Sequence, residues 1–191
     1  MIKDLFDKFL FQSDQLRNGY INSLGNASAM WENSLYKIMS TIPEVVQVIY
    51  GKVAGTHRNI LEQRYMDFIP GYRLIHIEEL EGEYHNLLRL LESNYVRELQ
   101  GKMIVPLLAD YSSCYICYAK TFDDREIIIH CAPDNKLQKM HNSIESFFKT
   151  IIAFYSQDVY YLDTDGYLDY DFEKEGLIGA TYNPGIKYWV E

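Results

Sequence analysis

The amino-acid sequence predicts an α+β fold, a central and mostly antiparallel sheet with helices packed around it. Three observations carry this. The stretch from Lys102 to Cys131 holds three apolar runs, KMIVPLLAD, SSCYICYAK and REIIIHC, broken at Asp110–Ser112 and Asp123–Asp124. Runs rich in β-branched and aromatic residues suit a pleated strand. Next comes NSIESFFKTIIAFYSQ, where Ile144, Phe147, Phe148, Ile151, Ile152 and Tyr155 repeat at helical spacing and share one face. Finally, VYYLD-TDG-YLDYD reads as a hairpin around an Asp-Gly turn.

Each element has its own signal. In the middle strand both alternate sets are apolar, with Cys114, Ile116 and Tyr118 on one side and Tyr115, Cys117 and Ala119 on the other. A strand covered on both faces belongs inside a sheet. Asn142 and Glu145 have capping-box spacing for the helix Ser143–Tyr155. Ile2, Leu5, Phe6, Phe9 and Leu10 predict a short amphipathic N-terminal helix that docks on the domain or on a partner, and the polar, small residues from Gln12 to Ser28 read as a loop or linker. A second helix is expected from Ala29 to Met39, with Trp31, Leu35 and Ile38 together. Thr41, Pro43 and Glu44 look like the capped start of a third, which runs through Val45, Val46, Val48, Ile49 and Val53 to a stop at Gly55. A short strand is expected at Tyr72–His76. It precedes a helix in which Leu80, Tyr84, Leu87, Leu88, Leu91, Tyr95 and Leu99 hold helical spacing. The ending, GLIGATYNPGIKYWVE, contains a turn at Asn183–Gly185 and an aromatic tail expected to fold back.

Composition narrows the function. Eighteen Lys and Arg against 27 Asp and Glu give a net charge of −9. That disfavours nucleic acid as a direct ligand, because phosphate contacts need basic side chains. Between Asp158 and Glu175 there are seven acidic residues and one basic one, a net of −6, threaded with Tyr160, Tyr161, Tyr167, Tyr170 and Phe172. Three cysteines make no disulfide framework and suit a reducing compartment. No apolar run approaches a membrane span, and the charged opening MIKDLFDKFLF does not read as a secretory signal. A cytoplasmic location is the expectation.

Chemical motifs are sparse. Cys114 and Cys117 form a CxxC pair, with His130 and Cys131 as two further zinc-type ligands. Residues three apart on a strand point to opposite faces, as do neighbours, so the four are expected to stay inert with no metal. Asp163, Asp165 and Gly166 resemble part of a calcium loop but lack the first ligand and the closing glutamate. In GKVAGT the lysine precedes the second glycine, unlike a phosphate loop. The histidines form no HxxxH or HxH pair and no serine sits in GxSxG. No catalytic residue and no cofactor is expected.

The order of Trp31, IPEVVQVIYGKVAGT, PGYRLIHIEEL, IVPLLADYSSCYICYAK, a helix of the SIESFFKTII type and YYLDTDGYLDYD resembles the SUKH superfamily, which contains fungal cell-wall synthesis regulators and bacterial toxin-immunity proteins. The likeness lies in order and spacing across Trp31–Asp171. Here Ala54-Gly55 stands where the family often has Asn-Gly, and 1–28 has no counterpart in it. It implies one SUKH-like domain over 29–191, preceded by the N-terminal helix and linker read from the residues over 1–28. It also implies a non-enzymatic protein that neutralises a nuclease- or deaminase-type toxin by direct binding. A basic toxin would meet the acidic hairpin, so Asp163, Asp165, Asp169 and Asp171 are the expected charged contacts and Tyr161 and Tyr167 the aromatic ones. Two other readings stand beside this one. The first is a regulatory or scaffold protein nearer the fungal relatives, and the second is a cysteine-based metal protein.

Overall fold

The predicted strands pair side by side in a computed structural model that describes residues 1–27, 31–93, 103–133 and 137–190. Ser28, Ala29, Tyr95, Leu99 and Lys102, named above, lie outside those ranges. β1 (Arg73–Leu74), β2 (Met103–Ala109), β3 (Tyr115–Lys120), β4 (Glu126–Cys131) and β5 (Leu137–His141) form one antiparallel sheet in that order. β3 lies at its centre, as its two apolar faces require. β2 accommodates Pro106 at a register shift between Pro106 and Leu108, the kind of irregular position to which proline is confined within sheets. The displaced Leu107 offers its carbonyl to Ile75 N–H at 3.1 Å, which ties the short β1 segment to the sheet.

β5 is an addition to the predicted order of three strands and a helix. Its sequence, LQKMH, interleaves polar and apolar residues along the sheet edge and carries too little periodicity to read as a strand. The next helix starts one residue later than the spacing of Asn142 and Glu145 suggests. α6 here denotes Ile144–Ser156, and Ser143 is its N-cap. Ser143 Oγ accepts from Ser146 N–H at 3.0 Å and Ser146 Oγ from Ser143 N–H at 3.2 Å. A hydroxyl at the third helical position thus does what a glutamate usually does, and Glu145 pairs with Lys149 on the surface instead.

α6 is buried on more than its predicted face, with Thr150, Ala153 and Phe154 also enclosed. One side lies against β4 and β5, and the other is covered by α1 (Ile2–Leu16). Phe6 packs on Phe148 with ring centroids 5.7 Å apart, and Phe9 on Phe68 at 4.2 Å and Tyr155 at 5.8 Å. Far from ending near Leu10, α1 continues through Gln12–Leu16, and α2 (Tyr20–Ser23) follows at once. The linker reading of this stretch is therefore corrected. Its polarity misled because Arg17 and Tyr20 are buried: Arg17 donates to Ser13 Oγ (2.6 Å), Tyr155 Oη (2.7 Å) and the carbonyls of Arg64 and Asp67, and lies 3.7 Å over the Tyr20 ring.

α3 (Trp31–Leu35) and α4 (Glu44–Tyr50) are shorter than predicted. Thr41 does not cap α4, whose N-cap is Pro43 with no side-chain bond, and Gly51 rather than Gly55 ends it. Gly55 has another role. Its φ is +101°, and a Cβ there would lie 2.5 Å from Ile75 O, so only glycine allows this close approach. On α5 (Leu80–Ser93), Leu80, Glu83, Leu87 and Leu91 are buried while Tyr84 and Leu88 are half-buried. Glu83 is admitted because Arg73 Nη2 reaches its Oε1 at 2.7 Å and Tyr115 Oη donates to its Oε2 at 2.8 Å. The hairpin β6 (Tyr160–Leu162) and β7 (Leu168–Tyr170) leads into α7 (Phe172–Tyr182), a helix absent from the predicted elements because its two glycines and mixed face hide the period. Beyond it the aromatic tail folds back as expected: Trp189 lies on Gly179, and its Nε1–H donates to Met140 O at 2.7 Å.

Candidate functional site

The acidic hairpin presents the expected side chains on one short ribbon. Tyr160 pairs with Tyr170, Tyr161 with Asp169 and Leu162 with Leu168. Alternation turns Tyr160 into the core and Tyr161 outward, and they are 3% and 42% exposed. Tyr161 Oη lies 3.4 Å from Asp169 Oδ2 across the strands. Tyr167 is 41% exposed at the turn, Asp165 is exposed, and Asp163, Asp169 and Asp171 are half-buried.

These aspartates do different work. Asp163 Oδ1 accepts the N–H groups of Asp165 (2.9 Å) and Tyr167 (2.8 Å), and Gly166 completes the turn at φ +86°. Asp171 is the N-cap of α7, with Oδ1 accepting from Lys174 N–H at 3.1 Å and Oδ2 3.4 Å from Lys174 Nζ. The Lys174 backbone bond foremost holds its carboxyl below the usual range. Asp163 and Asp171 are therefore scaffold as well as charge, Asp169 also accepts from Tyr170 N–H at 2.8 Å, and Asp165 adds charge at the surface.

The surface continues past the hairpin in residues that were not among the expected contacts. Phe172 is 76% exposed, Leu177 72% and Val190 72%. They rim a groove of about 590 Å³ whose other walls include Tyr170, Glu175, Gly176, Tyr188 and Trp189. Apolar side chains this exposed and this close together mark an interaction surface more often than scattered surface leucines do. A helix prediction over 172–182 would have exposed the signal.

The would-be zinc ligands divide between the two sheet faces. Cys117 and Cys131 are buried with their sulfurs 3.7 Å apart. His130 takes the other face, its Nε2 2.8 Å from Tyr72 Oη, near which Cys114 also lies.

A different cluster forms where Thr56 bridges Ile75. This places His57 against His76 with ring centroids 3.5 Å apart and planes 22° from parallel. Ligand atoms of His57, His76 and Glu78 fall within 4.8 Å of one another. Near-parallel imidazoles aim their lone pairs side by side rather than at one ion, so this geometry does not converge on a metal. It anchors the loop instead. His57 Nδ1 lies 3.2 Å from Glu79 Oε1, and Glu79 Oε2 pairs with buried Arg73 Nη1 at 2.8 Å. Burial, and then the neighbouring His57, keep the His76 imidazole below its ordinary pKa.

No family model and no curated protein matches the chain. Among the described residues no helix is long and apolar enough to cross a membrane.

Proposed function

We propose that this chain is an immunity protein of the SUKH type, acting in the cytoplasm by binding a cognate toxin rather than by catalysis. One observation carries the reading: a ribbon with a net charge of −6 over Asp158–Glu175 displays Tyr161 and Tyr167 outward and runs directly into the exposed apolar residues Phe172 and Leu177. Acidic groups around aromatic and aliphatic anchors complement a basic protein surface, and they repel nucleic acid. A toxin that grips nucleic acid presents such a basic surface at its own active site. The α+β architecture agrees with what the resemblance implies.

Co-expression with the product of the gene immediately upstream tests this. The expected result is that the C-terminal domain of a large toxin co-purifies with this chain and is inactive while bound. Recovery of the chain without that domain, or of a complex in which the toxin remains active, overturns the reading.

A further inference from the structure

Glu175 is the unexplained residue of the α7 groove. It is half-buried on the helix, facing a floor and walls made by Tyr170, Tyr188 and Trp189. Among the described residues its carboxyl makes no hydrogen bond and no ion pair, although Lys174 is its neighbour in sequence. Lys174 instead turns to Asp171. Among the described residues, the titratable groups that interact with Glu175 are the tyrosines 160, 170 and 188, all potential anions and none a cation. A half-buried carboxylate costs free energy unless a positive charge joins it. Among the described residues none supplies one to Glu175, and the groove is open to solvent beside the exposed Phe172, Leu177 and Val190.

We infer that this groove receives an arginine or lysine side chain carried on an apolar stretch of a partner protein, with Glu175 as its counter-charge. The inference rests on the proposed binding function and locates its anchor on α7 rather than at the hairpin tip. The fit is chemical at each level. The aliphatic stem of a long cation lies along Leu177 and Val190, the aromatic walls favour a guanidinium or ammonium over their faces, and the carboxylate completes a charge-assisted pair. The surrounding acidic ribbon draws a basic partner toward the groove. Burial has pushed the Glu175 carboxyl up to about 7, so a cation arriving there also restores its charge.

The test uses the full chain, 15N-labelled, and a capped peptide with one arginine flanked by leucines. A second peptide carries citrulline, the neutral near-isostere, in place of arginine. The arginine peptide is expected to shift the amides of Gly176, Leu177 and Tyr188, and to lower the Glu175 pKa by about one unit or more. It should bind at least about tenfold more tightly than the citrulline peptide. Glu175→Gln should remove that preference. Gly176→Leu should block both peptides, because a Cβ there meets only Trp189 O at an ordinary 3.6 Å and a longer side chain then fills the groove without breaking the helix. Equal binding of the two peptides, an undiminished preference in Glu175→Gln, or shifts confined to Asp163–Asp169 overturn the inference. Because the peptides need no toxin, a groove that fails while the toxin still co-purifies refutes only this inference. A groove that binds arginine while no toxin is recovered refutes only the proposed function.

Discussion

Gly179 and Arg17 show how single residues hold this molecule together in ways their types do not announce. A Cβ on Gly179 would stand 2.2 Å from Cε3 of Trp189, inside any tolerable contact. Gly179→Ala is therefore expected to expel the tail even though alanine is the better helix former. The cost should be about 1–3 kcal/mol, read as a fall in the urea midpoint together with a red shift of the tryptophan emission. Unchanged emission would mean that the tail does not depend on this contact. Arg17 binds α1 and α2 to α6 through donors to Ser13, Tyr155 and two backbone carbonyls. Arg17→Met keeps much of the stem but leaves those acceptors dry, so a loss of about 2–4 kcal/mol is expected. Neither role was legible beforehand. Glycine in a sequence reads as a turn or a weak helix position, and arginine among Gln, Ser and Asn reads as solvent-exposed. Only tertiary contacts reveal that one is a socket and the other a hub.

At the scale of elements, legibility followed the hydrophobic period. β2, β3, β4 and α6 were predicted from unbroken apolar runs or a clean helical stripe, and all four lie at the centre. Phe148→Ala in α6 should cost about 3–5 kcal/mol, because Phe148 is fully buried on α6 against Phe6 of α1; a loss below about 1 kcal/mol by denaturant unfolding would contradict that placement. Peripheral elements were missed or misplaced where period gave way to something else. β5 is an edge strand of mixed polarity, α7 has glycines where it packs under Trp189, and α1 extends through polar residues that satisfy one another. The candidate site was half legible for the same reason. Tyr161, Tyr167 and the aspartates stood out as an alternating, acidic hairpin, while Phe172, Leu177 and Glu175 needed a helix that the sequence concealed. Replacing Asp163, Asp165, Asp169 and Asp171 together by Asn tests the hairpin as a unit. Asn keeps an oxygen acceptor for the turn at 163 and the cap at 171, so the fold should persist by circular dichroism. Association with the co-purified toxin should slow, most at low ionic strength where screening is weakest. Wild-type rates in low salt would show that the ribbon is a solvated face only.

Across the whole molecule, buried His141 and half-buried Glu175 pull stability in opposite directions with pH. His141 is enclosed by Phe147, Trp189 and Asn183, whose Oδ1 lies 3.0 Å from its Nδ1. Burial lowers its pKa to about 3 from an ordinary 6.5. Between those values the unfolded chain binds a proton that the folded chain refuses, so this group removes stability as pH falls, by about 1.4 kcal/mol per unit once well inside the window. Glu175 does the reverse. Its folded pKa of about 7 stands above the ordinary 4.5, so the folded chain binds the extra proton. The stability it contributes is complete below about 4.5 and is lost as pH rises through 7. From 6.5 down to 4.5 the two contributions largely offset each other, and below 4.5 only the loss at His141 continues. Comparing wild type with Glu175→Gln cancels every other group. The variant should gain on the order of 2–3 kcal/mol relative to wild type at pH 8, with that advantage vanishing by pH 4.5. Urea midpoints measured at pH 4.5, 6 and 8 decide it. A difference that stays constant across the three would mean that the Glu175 carboxyl titrates as it does in water, and that the groove does not hold it dry.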